Sequence, residues 1–337
     1  MAKRLGEQTV KIDEPVSIIS TASVVGPKEG EGPLQRYYDV ILDDILHGCD
    51  SWEKAESKIV ETSLKWAIEK ANLTPKDIDI IIAGDLLNQS IGSTFGVMSL
   101  NRPFWGIFAA CANIGAGLAM GAIAIDSGAA FRVTASASSH FCSAEKQFRT
   151  PLEHGNQRTP TSSWTVTGSG CAVLSNGAEG PFITHATIGK VVDMGITDAN
   201  NMGAAMAPSA ADTIVTHFND TKRDPSYYDL IITGDLGHIG RDLAAELMAD
   251  KGYKLISNYT DCGIKVFDKA KQDTHAGGSG CGCSAVTLAG YLYNGLKEKT
   301  INKILFVPTG ALLSPTSVQQ GQNIPGIAHA VAIENSR

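Results

Sequence analysis

The chain has 337 residues, of which 43% are hydrophobic and 19% charged, a composition typical of a globular protein with a large core. The net charge is −7 and no basic run occurs, so nucleic acid is excluded as an expected partner. Seven cysteines, an odd number, and an N-terminus without the apolar segment of a signal peptide predict folding in a reducing compartment. We expect neither a signal peptide nor a transmembrane helix.

In chain order, the first half alternates between predicted strands and helices. β-Branched residues predict a strand over residues 16–25, and apolar residues at helical spacing predict an amphipathic helix over 52–71. Between them, an apolar pattern with acidic residues predicts a short helix over 37–46. The remaining elements are strands over 78–87, 131–136 and 171–175, with an irregular polar stretch over 140–170.

Residues 103–125 form the most distinctive stretch of the first half, because these 23 residues include no Asp, Glu, Lys or Arg. The length alone would suit a membrane span. Eleven of the 23 are Gly or Ala, however, which favours a buried helix packed closely between two layers. Cys111 lies where this helix is predicted to begin, and the positive end of a helix favours a thiolate. A plain packing role for a small buried cysteine is the alternative.

The second half repeats the pattern of the first. IDIIIAGDLL, from Ile78, is matched by YDLIITGDL, from Tyr228, and a second uncharged stretch of 23 residues covers 274–296. This repeat predicts duplicated βαβαβ units, with one half over residues 1–180 and the other over 181–337. The predicted elements of the second half are strands over 182–192, 228–236, 303–308 and 327–334, and helices over 210–219, 243–251 and 285–297.

A duplicated unit with a cysteine at the start of a central helix resembles the thiolase-like superfamily. ACANIGAGLAM, residues 110–120, is similar to the superfamily's nucleophile segment, and Cys111 falls on the nucleophile position. The resemblance implies an α/β fold in which duplicated halves form a layered α-β-α-β-α arrangement. It also implies a homodimer.

Several longer phrases resemble one family within that superfamily, SpoVAD, or stage V sporulation protein AD. They include GPKEGEGPL, GITDANNMGAAMAPSAADTI, AGGSGCGCSAV and TGALLSPTSVQQ, and the resemblance runs from residue 16 to residue 334. It implies a dipicolinic-acid-binding component of the SpoVA machinery, which moves calcium dipicolinate into the forespore and out at germination. It further implies synthesis in the forespore cytoplasm, a peripheral position on the spore inner membrane, and other SpoVA proteins as partners.

The catalytic set of a thiolase-like enzyme looks incomplete in this chain. Thiolases carry a Gly-His-Pro motif, but the comparable segment, HAGGSGCGCSA at 275–285, has no His-Pro. Type III ketoacyl synthases use a His and a later Asn, and here His238 has no convincing Asn companion. Acyl transfer needs a base beside the thiol, so the sequence predicts a pocket reused for binding. An active acyltransferase using Cys111 on acyl-CoA, and a scaffold with a vestigial pocket, are the alternatives.

Dipicolinate is an aromatic dianion, so its site needs cations or N–H donors. The polar stretch supplies five basic side chains, of which Arg149 and His140 are the preferred candidates; the others are Lys146, His154 and Arg158. Cys111, His238 and Cys281 complete the predicted ligand-binding set. Solvated surface positions are the alternative for the basic side chains.

We predict no cofactor and no metal site. Cys281 and Cys283 form a single C-x-C pair, which lacks the second ligand pair of a structural zinc site, so packing at the start of a helix is preferred. Asp85 and Asp235 follow equivalent strands, and this symmetry predicts that each caps the next turn. The phrase NMGAAMAPSAAD, residues 201–212, is a candidate for a flexible apolar wall of the pocket.

Overall fold

A computed structural model describes residues 2–148, 158–254 and 257–336. The strands are β1 (Lys3–Leu5), β2 (Thr9–Val25), β3 (Val40–Ile41), β4 (Ile80–Gly84), β5 (Phe104–Gly106), β6 (Arg132–Ser139), β7 (Trp164–Thr165), β8 (Gly168–Asn176), β9 (Phe182–Thr187), β10 (Leu230–Thr233), β11 (Tyr259–Asp261), β12 (Gly278–Ser279), β13 (Lys303–Val307), β14 (Thr309–Ala311), β15 (Gly326–Ala328) and β16 (Ala330–Glu334). The helices are α1 (Pro27–Gly30), α2 (Trp52–Lys70), α3 (Ile91–Met98), α4 (Asn113–Asp126), α5 (Phe141–Phe148), α6 (Met202–Thr221), α7 (Gly237–Asp250), α8 (Cys262–Val266), α9 (Cys281–Thr287), α10 (Tyr293–Lys297) and α11 (Pro315–Gln319). A π-helical turn, Leu288–Leu292, joins α9 to α10.

The main sheet has twelve strands, of which ten form two sets of five that mirror each other, while β1 and β3 each pair with β2. Its order is β11-β10-β13-β16-β9-β2-β8-β6-β4-β5, and β2 and β9 pair antiparallel where the two sets meet. In the first set β4 is parallel to β5 and β6, and in the second β10 is parallel to β11 and β13. The predicted duplication is therefore confirmed in the fold, while the boundary at residues 180 and 181 stays a prediction.

Three large hydrophobic clusters fill the spaces between the layers of helices and strands. The inner cluster contains Leu118 of α4 and Val286 of α9, together with strand residues from both sets. One outer cluster packs α2, through Leu64, on the first set, and the other packs α6 and α7 on the second. The predicted α-β-α-β-α layering is confirmed. The inner layer is tight, since a Cβ added to Gly170 of β8 would lie 2.1 Å from the Ala285 carbonyl oxygen of α9.

Two predicted helices follow their sequence patterns to different extents. The helix predicted over 52–71 is α2, and the Ser51 side chain caps it by accepting a hydrogen bond from the Lys54 N–H. The helix predicted within 103–125 begins only at Asn113. The preceding residues Phe104–Gly106 instead form β5, the edge strand that pairs with β4. Cys111 therefore lies two residues before the helix.

The short helix predicted over 37–46 is wrong. Val40–Ile41 forms β3, which pairs with β2, and the Asp44 side chain then accepts hydrogen bonds from the Leu46 and His47 N–H groups. Strand pairing and this side-chain cap stabilise an extended segment followed by a turn. The sequence also missed α3, α5 and α8, and placed the start of α6 too late because Pro208 lies inside that helix.

Within the described ranges, no helix combines the length and the apolarity that crossing a bilayer requires.

Candidate functional site

Cys111 lies at a close contact between the two halves of the fold. Ala110, just before it, has a φ of 47°, a left-handed conformation that turns the chain sharply ahead of α4. Gly310 of β14 packs against this turn, and a Cβ added there would lie 2.6 Å from the Ala109 carbonyl oxygen and 3.0 Å from the Cys111 nitrogen. Only glycine fits at this position without a shift of the backbone.

A cavity of about 280 Å³ opens beside Cys111. Three chain segments supply most of its wall: the loop after β4, the turn before α4, and the segment from β14 to the start of α11. None of the described residues that line it is charged. The lining residues are Leu86, Leu87, Asn88, Gln89, Ser90, Phe108, Ala110, Cys111, Thr165, Met202, Ser279, Gly280, Ala311, Leu313, Ser314 and Pro315.

The Cys111 thiol contacts a second thiol from the other half of the chain. Cys281, the first residue of α9, hydrogen-bonds with Cys111, and its Sγ donates to the Ala110 carbonyl oxygen over 3.1 Å. The Asn113 side-chain amide donates to the Cys281 Sγ over 3.3 Å. The bond to Cys281, with burial, raises the pKa of Cys111 well above its ordinary value. The neutral thiol is therefore the stable form of Cys111.

Asp235 organises the polar side of the cavity. One carboxylate oxygen accepts a hydrogen bond from the Thr309 hydroxyl at 2.7 Å, and the other accepts from the Ser279 hydroxyl at 2.7 Å and the Gly280 N–H at 3.0 Å. Burial raises the pKa of Asp235. The prediction that it caps its own following turn is wrong, because Asp261 accepts the Leu236 and Gly237 N–H groups.

Asp85, at the equivalent position of the first half, does cap its turn. Its carboxylate accepts from the Leu87 N–H at 2.8 Å and from the Ser93 N–H at 2.7 Å. These bonds fix the loop that supplies Leu86 to Ser90 to the cavity wall. Gln89 and Ser90 have φ values of 57° and 50°, so the loop is held in a conformation that such residues seldom adopt.

Among the predicted ligand-binding residues, the structure brings Cys111 and Cys281 together. His140 instead contacts the Ile45 carbonyl oxygen at 2.7 Å, and Lys146 pairs with Glu53. Neither lines the cavity.

The other basic candidates also lie outside the cavity lining or outside the described residues. Arg158 donates to the Ser163 carbonyl oxygen at 2.5 Å and lies over the Trp164 ring. The His238 N–H donates to the Ala276 carbonyl oxygen. Arg149 and His154 fall outside the described residues. The ligand-binding roles of all of these side chains stay predictions.

Sequence reasoning missed much of the cavity wall. Leu313, Ser314 and Pro315 belong to one phrase that served only to indicate the family, Ser279 belongs to another, and no role was predicted for Thr165. Met202, in the segment proposed as an apolar wall, does line the cavity. In the part of the chain that the structure describes, no group of three His, Cys, Asp or Glu side chains is placed to hold a metal.

The fold is similar to that of several enzymes of known structure. 3-Oxoacyl-[acyl-carrier-protein] synthase III from Aquifex aeolicus is 15% identical, covers 95% of this chain and 99% of its own length, and superposes with a TM-score of 0.56. OleA from Xanthomonas campestris is 14% identical with the same coverage and a TM-score of 0.60. Human mitochondrial 3-ketoacyl-CoA thiolase is 9% identical, covers 97% of this chain and 99% of its own, and has a TM-score of 0.57. At these identities the likeness shows the thiolase-like fold alone.

Sequence comparison is more specific. The model of the family "Stage V sporulation protein AD (SpoVAD)" matches residues 6–334. The protein named stage V sporulation protein AD in Bacillus subtilis is 42% identical over 334 residues, which cover 99% of this chain and 98% of that protein. This chain therefore belongs to the SpoVAD family of sporulation proteins, and its fold is thiolase-like.

Proposed function

We propose that this chain is a dipicolinate-binding component of the SpoVA machinery and that it is not an enzyme. In this proposal the machinery moves dipicolinate, with or without calcium, across the spore inner membrane during sporulation and germination. Membership of the SpoVAD family supports the assignment to sporulation. The cavity beside Cys111 is the proposed ligand site.

One observation carries the binding proposal: Cys111 lines a cavity whose described lining residues include no histidine. Acyl transfer by a cysteine needs a base or another influence that produces the thiolate. Here the contact with Cys281 and burial act in the opposite direction, because they raise the pKa of Cys111. The arrangement therefore favours binding without chemistry.

The size and lining of the cavity suit a small planar ligand. Small-molecule sites commonly occupy about 300–1,000 Å³, and the 280 Å³ found here lies just below that range, as suits a small ligand. Leu86, Phe108 and Met202 supply apolar contacts for an aromatic ring, while Thr165 and Ser314 supply hydroxyl groups. A dianion also needs positive charge, which in this proposal comes from a calcium ion that enters with the ligand or from Arg149.

The proposed assembly is a homodimer on the membrane surface with other SpoVA proteins as partners. β5 ends the order of the main sheet. Apolar side chains are exposed on this strand and close to it in the chain, with exposed fractions of 44% for Trp105, 58% for Phe108 and 67% for Met98. A two-fold contact along β5 would cover these side chains.

The competing function is acyl transfer from acyl-CoA to Cys111. The sharp turn at Ala110 and the position of Cys111 just before α4 favour it, because they expose a thiol to the cavity next to a helix N-terminus. Incubation with acyl-CoA followed by intact-mass measurement tests this alternative. A stable acyl adduct that is absent from Cys111→Ala would establish acyl transfer and contradict the non-enzymatic reading.

Calorimetric titration with dipicolinate, with and without calcium, tests the proposed function. We expect saturable binding that is weakened at least tenfold in Cys111→Phe, which fills the cavity, and unchanged in Cys171→Ala, a buried position away from the cavity. Arg149→Ala is compared with Arg4→Ala, an exposed arginine whose side chain bonds to nearby carbonyl oxygens.

Weakening by Arg149→Ala alone would assign the missing positive charge to Arg149. A requirement for calcium would assign it to the ion. Absence of binding at millimolar ligand, a free energy weaker than about −4 kcal/mol, would contradict the proposed function.

A further inference from the structure

Cys111 and Cys281 form a pair of free thiols in contact with each other. The proposed ligand site assigns no function to this pair. They come from opposite halves of the fold, one just before α4 and the other at the first residue of α9. Hydrogen bonds fix the Cys281 Sγ between the Ala110 carbonyl oxygen, at 3.1 Å, and the Asn113 side-chain nitrogen, at 3.3 Å. These bonds hold the Cys281 Sγ beside the chain segment that carries Cys111, where it contacts the Cys111 side chain.

The two thiols differ in their access to small molecules. Cys111 lines the cavity, although only 7% of the residue is exposed, so a small molecule can approach it from the cavity. Cys281 is fully buried and is absent from the described lining. In thiol oxidation a cysteine within reach of the oxidant reacts first and a neighbouring cysteine resolves the product, and the positions of Cys111 and Cys281 fit these two roles, although the raised pKa of Cys111 makes the first step slow at neutral pH.

We propose that Cys111 and Cys281 are an oxidation site, at which a hydroperoxide small enough to enter the cavity converts the two thiols into a disulfide. The Cys111 thiolate attacks one peroxide oxygen, the O–O bond breaks, and the leaving oxygen takes up a proton as water or an alcohol. The sulfenic acid formed on Cys111 then condenses with Cys281: the S–S bond forms and water leaves. Two thiols and one hydroperoxide give one disulfide, one water and one alcohol or second water, so the sulfurs lose the two electrons that the peroxide gains.

The disulfide would change the cavity as well as the two sulfurs. It would draw the Cys111 side chain toward α9 and remove a thiol from the wall, so the oxidised and reduced forms would present different cavities. It would also join α4 to α9, the paired helices of the inner layer. The inference concerns the thiols themselves and holds whichever ligand the cavity takes.

The chain contains its own control for this proposal. Cys262 and Cys283 are also buried neighbours, since Cys262 contributes to raising the pKa of Cys283, but neither lines the cavity. If cavity access decides reactivity, this second pair stays reduced. If mere proximity of two thiols decides it, both pairs oxidise.

The experiment treats the reduced full-length protein with hydrogen peroxide, blocks the remaining thiols with an alkylating agent in denaturant, and maps the peptides by mass spectrometry. The expected result is a linked pair of peptides containing Cys111 and Cys281, with loss of two of the five buried free thiols and no Cys262–Cys283 link. Because the pKa of Cys111 is raised, the rate should increase roughly tenfold for each pH unit between pH 7 and 9.

Cys281→Ser separates the two steps, because a hydroxyl can keep the bond to the Ala110 carbonyl oxygen but cannot form the disulfide. In this variant we expect the oxidation of Cys111 to stop at the sulfenic acid, which dimedone traps. The Cys171→Ser variant should form the disulfide as the wild-type protein does. Circular dichroism verifies that each variant is folded, and Cys281→Ala replaces Cys281→Ser if the serine variant is not.

Three results would overturn the proposal: a wild-type protein in which Cys111 stays alkylatable after exposure to peroxide, linkage of Cys111 to a cysteine other than Cys281, or oxidation of Cys262 with Cys283 at the same rate. Dipicolinate binding is measured on the reduced protein, so failure of that binding leaves this test unaffected.

Discussion

Replacement of His217 by Gln should make the stability of the protein respond differently to acid. His217 lies in α6, fully buried, with its Nδ1 2.7 Å from the Thr187 hydroxyl and its Nε2 2.6 Å from the Tyr228 hydroxyl. Burial, followed by the positive charges of His185 and Arg223, lowers the pKa of His217 from 6.5 to about 3. The folded state therefore holds a neutral imidazole at any pH above about 3.

The sign and size of the effect follow from this shift. A histidine whose pKa is lower in the folded state stabilises the protein fully above the pKa of the unfolded chain, 6.5, and this contribution is lost as the pH falls. At pH 5 the unfolded chain binds a proton and the folded one does not. The pKa of the unfolded chain, 6.5, lies 1.5 pH units above pH 5. At about 1.4 kcal/mol per unit, the free energy of unfolding therefore falls by about 2 kcal/mol on account of His217.

The measurement is urea unfolding of both proteins at pH 7.5 and pH 5. At pH 7.5 we expect the Gln variant to be less stable by roughly 1–3 kcal/mol, because two buried hydroxyl groups lose good partners. At pH 5 that difference should shrink by about 2 kcal/mol, since glutamine does not titrate. Buried Glu29, Glu56 and Asp261, with raised pKa values, favour folding at low pH, but they are common to both proteins and cancel in the difference.

A difference that is the same at both pH values would refute the reasoning. It would mean that His217 binds its proton equally well in the folded and unfolded chains, and hence that the hydrogen bonds to Thr187 and Tyr228 do not hold a neutral ring.

Three further predictions concern stability and reactivity. Gly310→Val should destabilise the protein by about 1–3 kcal/mol, because its Cβ would lie 2.6 Å from a carbonyl oxygen, whereas Gly117→Ala, with contacts at 3.4 Å or more, should be tolerated; thermal unfolding measures both. Glu334→Gln should cost about 3 kcal/mol in urea, because it leaves the partly buried Arg223 without its carboxylate 2.8 Å away; a loss below about 0.5 kcal/mol would contradict this. Iodoacetamide at pH 7 should modify Cys111 more slowly than the half-exposed cysteines, and equal rates would disprove the raised pKa.

Local and repeated patterns made much of the fold predictable. The amphipathic spacing of α2 predicted the helix almost to the residue. The repeat of IDIIIAGD and YDLIITGD placed β4 and β10 in equivalent positions of two mirrored strand sets. Both patterns act over a few residues, where hydrophobic periodicity and capping decide the structure.

The errors arose where distant contacts decide local structure. Residues 37–46 carry an apolar pattern that suits a helix, but the pairing of Val40–Ile41 with β2 makes part of this segment a strand. The uncharged stretch 103–125 includes β5, which is stabilised as a strand by its pairing with β4. A single sequence does not specify which strands will pair, so these assignments required the structure.

The part of the site that could be predicted lies in residues 110–120, the segment that resembles the nucleophile segment of the thiolase-like superfamily. Cys111 was found in this way, but the role of Asp235 was not, since its hydrogen bonds to Ser279 and Thr309 depend on the convergence of β10, β12 and β14. The basic candidates were chosen from the charge of the expected ligand. In the structure, His140 and Lys146 have protein partners of their own, a carbonyl oxygen and a carboxylate.

The close packing of α9 on β8 has a consequence for how the chain is made. The first set of strands is complete once β8 has left the ribosome, but α9, which covers its inner face through Ala285 and Val286, is synthesised roughly 100 residues later. At about 5–20 residues per second, that delay lasts roughly 5–20 s. During this time the nascent first half exposes the apolar surface around Gly170, so we expect it to need protection by a chaperone until the second half arrives.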